Sequence, residues 1–117
     1  MPDQLPDCTA REFFLWVLRF RRRFRVTGRS MMPLLNPGDE VLVDIRAYRR
    51  TPPLIGDIVV AWHPSQTNLR LVKRVASVLA DGRCLLRGDN PAESTDSRSF
   101  GDVALQNIVG RVTSRFG

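Results

Sequence analysis

Short apolar runs separated by turn sequences constrain the fold of this 117-residue chain more than any other feature. From Phe24 onward, six runs rich in Val, Leu and Ile have the length of β-strands, and sequences such as NPGD, TPPLIGD and HPSQTN separate them. The Asp81–Gly82 pair between two apolar runs predicts a hairpin. The predicted strands are Arg23–Thr27, Glu40–Ile45, Asp57–Trp62, Arg70–Leu79, Arg83–Arg87 and Asn107–Thr113. This pattern predicts a mainly β fold, a small coiled sheet or partly open barrel with a short helix before it.

The segment before the strands predicts an amphipathic helix followed by a basic segment. Thr9 and Glu12 have the spacing of a capping box, so the helix should run from about Ala10 to Phe20. Its apolar stretch is six residues long, whereas a membrane-spanning helix needs about 20. Two interpretations stay open: the helix packs on the domain, or it lies in a membrane interface with its aromatic side chains inward. We divide the chain into residues 1–22, the helix and basic segment, and residues 23–117, a single β domain.

The net charge of +6 is concentrated in the Arg19–Arg29 band, which holds six arginines and no acidic residue. Such a band favours anionic partners, either lipid phosphates or nucleic acid. A nucleic-acid-binding β-barrel is therefore the alternative from another functional class, with Phe20 and Phe24 stacking on bases. That alternative gives no role to the serine and lysine residues described below. We expect no nucleic-acid partner, and a peripheral membrane contact through Phe13–Phe20 and the Arg19–Arg29 band.

The metal-ligating residue types are too few and too dispersed to predict a metal site. Cys8 and Cys84 form no CxxC pair, and His63, the single histidine, lies in a predicted surface turn. We expect two independent thiols, no metal and no cofactor.

A serine and a lysine predict nucleophilic chemistry. Ser30 lies in GRSMMP, where Gly28 frees the backbone and the methionines provide apolar surroundings. Lys73 is the only lysine among eighteen basic side chains, and strand alternation places it on one face with Leu71 and Val75. Burial lowers the pKa of a lysine, and a neutral amine can act as the base for a serine. An exposed strand lysine is the alternative.

Three ordered segments carry a family resemblance: SMMPLLNPGDEVLV, LVKRV and GDNPAESTDSRSFGDVALQNIVGRV. They resemble the three main sequence boxes of type I signal peptidases, and the resemblance covers roughly Phe24 to Arg115. Within that group the chain is most similar to the nickel-type superoxide dismutase maturation proteases. The resemblance implies the fold of the signal-peptidase catalytic core and a serine endopeptidase that removes an N-terminal extension from a protein precursor, above all that of a nickel superoxide dismutase.

The resemblance also implies roles for individual residues. Ser30 would be the nucleophile, its backbone N–H an oxyanion donor, and Lys73 the general base. Ser94 would orient the lysine amine. Asp96 and Arg98 would form an ion pair with Arg74 nearby, bracing the loop that carries Ser94. The candidates for the substrate pocket are Met31, Met32 and Pro33.

The chain departs from the family pattern in two ways, which bear on the second oxyanion donor and on location. Some family members have a serine two residues before the nucleophile, where this chain has Gly28. No spanning anchor is visible, which favours a cytoplasmic enzyme, peripheral at most on the inner face of the membrane. The alternative is a membrane-associated enzyme that processes secretory signal peptides. A self-cleaving protease of the SOS type is disfavoured, because the chain contains neither Ala-Gly nor Cys-Gly.

Overall fold

One six-stranded antiparallel sheet forms the body of the protein in the computed structural model, which describes residues 5–116. The strands are β1 (Arg22–Arg25), β2 (Glu40–Asp44), β3 (Ile58–Trp62), β4 (Arg70–Val78), β5 (Cys84–Arg87) and β6 (Ile108–Phe116). Their order across the sheet is β1-β2-β6-β3-β4-β5. Two helices, α1 (Ala10–Val17) and α2 (Ser97–Phe100), accompany them, with single 3₁₀ turns at Pro91–Glu93 and Leu105–Asn107. The predicted mainly β fold is confirmed.

The observed strands overlap all six predicted ones, and the differences have physical causes. β6 continues to Phe116 because its last residues pair with Glu40–Leu42 of β2. β1 ends at Arg25, before the predicted end at Thr27. The helix α1 ends at Val17 instead of Phe20, since Arg19 adopts a left-handed conformation (φ 66°) just beyond it.

Irregularities in strand pairing curve the sheet. Register shifts occur at Leu42/Val43, Val60/Ala61 and Val75/Ser77, and such bulges bend strands and increase their twist. As a result β1, at one edge, faces the start of β4: the Arg70 guanidinium lies 4.8 Å from the centroid of the Phe24 ring.

The two faces of β3 contact separate apolar clusters. Val60 belongs to a cluster with Met31, Leu35, Val41 and others, whereas Val59 belongs to one with Val75, Leu86 and others. Truncating a buried aliphatic side chain to alanine typically costs about 2–5 kcal/mol. These clusters therefore hold the loop after β1 and the strand β4 in fixed positions relative to each other.

The helix α1 turns its acidic residue inward and several of its apolar residues outward. Glu12 is 9% exposed, and its carboxylate accepts hydrogen bonds from the Thr113 and Ser114 hydroxyls of β6. The Thr9 hydroxyl accepts from the Glu12 N–H, as predicted, but the Glu12 carboxylate binds the sheet instead of a first-turn amide. Phe14 and Leu18 are each 63% exposed. The helix thus packs on the domain and also presents an apolar face to its surroundings.

Within residues 5–116, none of the helices combines the length and apolar character that crossing a membrane requires.

Candidate active site

Ser30 lies in the turn that links β1 to β2, and the apolar core anchors this turn on both sides of it. Val26 and Met31 are buried in the first core cluster. The Ser30 carbonyl accepts a hydrogen bond of 2.7 Å from the Asn90 N–H, and the Asn90 side-chain amide donates to the Arg29 carbonyl at 3.1 Å. The backbone around Ser30 is therefore held by Asn90, which lies 61 positions after Arg29 in the chain.

Lys73 is buried in β4, with 4% of its surface exposed. It pairs with Val59 of β3, and Val75 on the same face is also buried. Burial lowers the pKa of Lys73; the Asp96 carboxylate opposes this effect and the Arg98 guanidinium adds to it. The predicted apolar face is confirmed, and the alternative of an exposed lysine is wrong.

Ser94 connects Lys73 to a buried carboxylate. Lys73 Nζ donates to Ser94 Oγ at 3.1 Å, and Ser94 Oγ donates to Asp96 Oδ2 at 2.9 Å. A hydroxyl has one hydrogen. Because Ser94 gives that hydrogen to Asp96, it must accept from Lys73. A neutral Lys73 amine can make this bond and keep its lone pair available for another partner.

Asp96 is 1% exposed and remains charged. Its burial raises the pKa of the carboxyl, but hydrogen bonds from the Arg98 side chain, the Gly88 and Arg98 N–H groups and Ser94 outweigh burial and hold the pKa well below its usual range. The Arg98 guanidinium meets both carboxylate oxygens, at 2.9 and 3.0 Å. Lys73, Ser94, Asp96 and Arg98 therefore form one continuous chain of hydrogen bonds.

Gly88 lies where the Ser30 turn and Ser94 approach each other. A Cβ atom at this position would lie 2.3 Å from Ser94 Oγ and 2.6 Å from the Ser30 carbonyl oxygen. Sequence reasoning did not single out Gly88 or Asn90. Their only indication in the sequence is that both belong to the GDN with which the third segment resembling the signal peptidases begins.

Arg74 contacts the same loop at a second point, Asp89. Its guanidinium forms two hydrogen bonds of 2.8 Å with Asp89 and one of 3.0 Å with the Gly56 carbonyl. Asp89, which sequence reasoning also missed, thus connects the loop to β4.

Ser30 and Lys73 line one groove. The residues that line it are 24–25, 27–30 and 69–73, together with Val60, Glu93 and Thr95. Met31, Met32 and Pro33 lie outside this lining: Met31 is in the core, 1% exposed. A serine hydroxyl and a buried amine along one groove have the components needed for nucleophilic attack on a carbonyl carbon.

The remaining titratable groups described in the structure offer no metal centre. Among residues 5–116, no three His, Cys, Asp or Glu side chains are grouped so that they could hold a metal ion. Cys8 and Cys84 are free thiols, as predicted. His63 Nδ1 accepts backbone hydrogen bonds from Ser65 and Gln66 at 3.0 and 2.9 Å, which fits its predicted place in a turn.

Comparison with known proteins identifies a family that the chain matches. The family described as signal peptidase, peptidase S26, matches residues 9–81 and 76–116. Mitochondrial inner membrane protease subunit 1 of Schizosaccharomyces pombe is 32% identical over 108 residues, which cover 76% of this chain and 69% of that protein.

Two further relatives extend the comparison. Mitochondrial ATP-independent inner membrane protease subunit 1b of Arabidopsis thaliana is 34% identical over 110 residues, covering 75% of this chain and 65% of the relative. Probable signal peptidase I-1 of Synechocystis sp. is 25% identical over 130 residues, covering 74% and 66%. The chain thus spans about two thirds of the length of these relatives, and none of the three bears the name of a nickel superoxide dismutase maturation protease.

Proposed function

Because the chain belongs to the signal peptidase family, peptidase S26, we propose that it is a serine endopeptidase in which Ser30 is the nucleophile and Lys73 the general base. The observation that carries this proposal is Lys73 itself. It is buried, it is held by Ser94, its pKa is lowered by burial, and it lines the groove that contains Ser30.

We propose the following reaction for this pair of residues. The neutral Lys73 amine takes the proton of Ser30 Oγ as this oxygen bonds to the scissile carbonyl carbon. The resulting ammonium gives the proton to the leaving amine as the C–N bond breaks. Lys73 then takes a proton from the water that hydrolyses the acyl-enzyme and returns it to Ser30 Oγ. The Ser30 N–H is one donor to the oxyanion, and losing one such donor typically costs about 10²–10³ in kcat.

Substitutions at the two residues test this mechanism. We expect Ser30→Ala, Lys73→Ala and Lys73→Arg to abolish cleavage without unfolding the domain, because arginine stays charged and cannot accept the proton. Thermal melts check the folding of each variant. Full activity of Lys73→Arg would refute the role of Lys73 as a base.

The substrate that we propose is a protein precursor with an N-terminal extension, specifically that of a nickel superoxide dismutase. Support for this narrower assignment comes from the sequence segments described above. Co-expression with such a precursor, followed by mass spectrometry of its N-terminus, tests it. A new N-terminus that depends on Ser30 is expected; an intact precursor beside an enzyme active on other peptides would refute the substrate assignment alone.

The location that we propose is the surface of a membrane, on its cytoplasmic face. The outward apolar face of α1 (Phe13, Phe14, Val17 and Leu18) and the neighbouring Arg19–Arg29 band support it, since lipid interfaces accept apolar side chains beside cations. The membrane contact, without the choice of face, also favours the second candidate function, the processing of secretory signal peptides at the membrane.

Flotation with liposomes tests the membrane contact. We expect the protein to float with vesicles that contain phosphatidylglycerol and to lose this binding in the double variant Phe14→Ser/Leu18→Ser. The matched control is Leu54→Ser/Ile55→Ser, which changes two other exposed apolar residues away from α1. Equal loss in both double variants would refute binding through α1.

A further inference from the structure

Arg70 occupies a fixed position in the groove although its side chain is exposed. It is the first residue of β4, and its guanidinium lies 4.8 Å from the Phe24 ring centroid and 5.6 Å from that of Trp62. Trp62 is also its partner in the strand register. Contacts with two aromatic rings restrict the position of a guanidinium through cation–π attraction, while the N–H groups at its edge stay able to donate.

The arginines that brace the site have carboxylate partners, and Arg70 differs from them. Arg74 binds Asp89, and Arg98 binds Asp96. Within the part of the chain that the structure describes, Arg70 has aromatic neighbours and no carboxylate partner. It lines the same groove as Ser30 and Lys73. A fork of donors is therefore available to a ligand in that groove.

The backbone beside the groove can accept an extended peptide. β5 pairs with β4 from Arg74 to Val78, so the preceding stretch, Arg70 to Lys73, forms an edge among the described strands. Peptides commonly bind such edges as an additional strand. Both Arg70 and Lys73 line the groove at this edge, although their side chains point to opposite faces of β4.

We propose that Arg70 binds the carboxylate of an aspartate or glutamate side chain in the substrate, about three residues from the scissile bond. The inference rests on the proposed endopeptidase function. Arg70 lies three positions before Lys73 in β4, which corresponds to about 10 Å along a strand. An extended substrate has the same rise per residue, so the side chain at Arg70 belongs to a residue about three positions from the bond that Ser30 attacks. Arginine suits this role because its planar fork matches a carboxylate.

A peptide library provides the first test. The probe is a mixture of tryptic peptides from a bacterial proteome, digested by the full chain and analysed by mass spectrometry for new termini. We expect Asp and Glu to be enriched about three positions from the cut, on one side of it, with the wild type. The variant Arg70→Gln should cut without this enrichment, and the control Arg50→Gln, at an exposed position outside the groove, should preserve it.

A pair of synthetic peptides provides the second test. In the best peptide from the library, replacing the acidic residue by its amide should lower kcat/KM about tenfold for the wild type, since a charge-assisted hydrogen bond is lost. The same replacement should have little effect for Arg70→Gln. The variant Arg70→Lys keeps the charge but not the fork, so an intermediate effect is expected, and it replaces Arg70→Gln if that variant fails to fold.

The outcomes separate this inference from the proposed function. Cuts that disappear in Ser30→Ala but show no acidic preference would refute the role of Arg70 alone. An acidic preference that persists in folded Arg70→Gln would refute it as well. Cuts that persist in Ser30→Ala, or no cuts by the wild type, would overturn the endopeptidase function and this inference with it.

Discussion

Replacing Gly88 by alanine would insert a methyl group between the Ser30 turn and Ser94. The added Cβ would lie 2.3 Å from Ser94 Oγ, 2.6 Å from the Ser30 carbonyl oxygen and 2.7 Å from Ser94 Cβ. Favourable contacts between such atoms lie near 3.5–4.0 Å. The Gly88 backbone lies outside the left-handed region, so alanine adopts it without strain and the effect of the substitution is steric.

The size of the effect follows from which atoms must move. Relieving the overlap requires a displacement of about 1 Å, borne by the Ser94 side chain, the Ser30 backbone or both. Overpacking of this kind costs about 1–3 kcal/mol of stability, or a fall in Tm of about 4–12 °C for a domain of this size. A catalytic group misplaced by about 1 Å can lose about 10² in rate. We therefore expect kcat/KM to fall about 100-fold in protein that remains folded.

The control is Gly110→Ala, which creates a similar overlap elsewhere. A Cβ atom at Gly110, in β6, would lie 2.3 Å from the Asp44 carbonyl oxygen and 2.8 Å from Val43 Cγ1. Both variants are assayed by peptide cleavage below their measured Tm values, with activity divided by the folded fraction. Gly88→Ala should lose far more activity than Gly110→Ala at equal loss of stability. Equal activity per folded molecule in the two variants would refute the positioning role of Gly88.

Three further predictions concern the charge and position of the catalytic groups. Lys73→Met should raise stability near neutral pH by about 1–4 kcal/mol, because the lowered pKa of Lys73 means that folding disfavours the ammonium form, which the unfolded chain carries at this pH. In urea titrations the difference in stability should vanish as the pH rises toward the ordinary lysine pKa of about 10.4. Arg98→Gln should move the acid limb of the pH–rate profile to higher pH, since the Arg98 charge lowers the pKa of Lys73. The control Arg83→Gln should leave the acid limb where it is. An unshifted limb in Arg98→Gln would contradict this prediction. Asn90→Ala should lower kcat about tenfold with KM nearly unchanged, because it removes the hydrogen bond to the Arg29 carbonyl, one of those that hold the Ser30 turn. A change in KM alone would indicate a role in substrate binding instead.

The strands and the burial of Lys73 were predictable because both depend on local sequence patterns. Turn residues delimit the apolar runs, and alternation in β4 placed Lys73 among apolar neighbours, where the structure has it. The end of α1 was not predictable, since the left-handed conformation of Arg19 leaves no compositional signal.

The supporting residues of the site were harder to predict because their roles depend on contacts between segments that are far apart in the sequence. Gly88 and Asn90 act on the Ser30 turn from another loop. Met31 looked like pocket lining because it follows Ser30 in sequence, yet its side chain enters the core. Neighbours along the chain need not face the same way, and only the packing of the whole domain decides which way they face.

The hydrogen bond from Lys73 to Ser94 also means that the Lys73 side chain loses its rotamer freedom on folding and not on substrate binding. Immobilising a lysine side chain costs about 1.5–2 kcal/mol of rotamer freedom. Here folding bears that cost, because burial and Ser94 already confine Lys73 before any peptide enters the groove. The base that we propose therefore has no such freedom left to lose when the reaction begins, and binding energy from the substrate remains available to orient the peptide bond against Ser30.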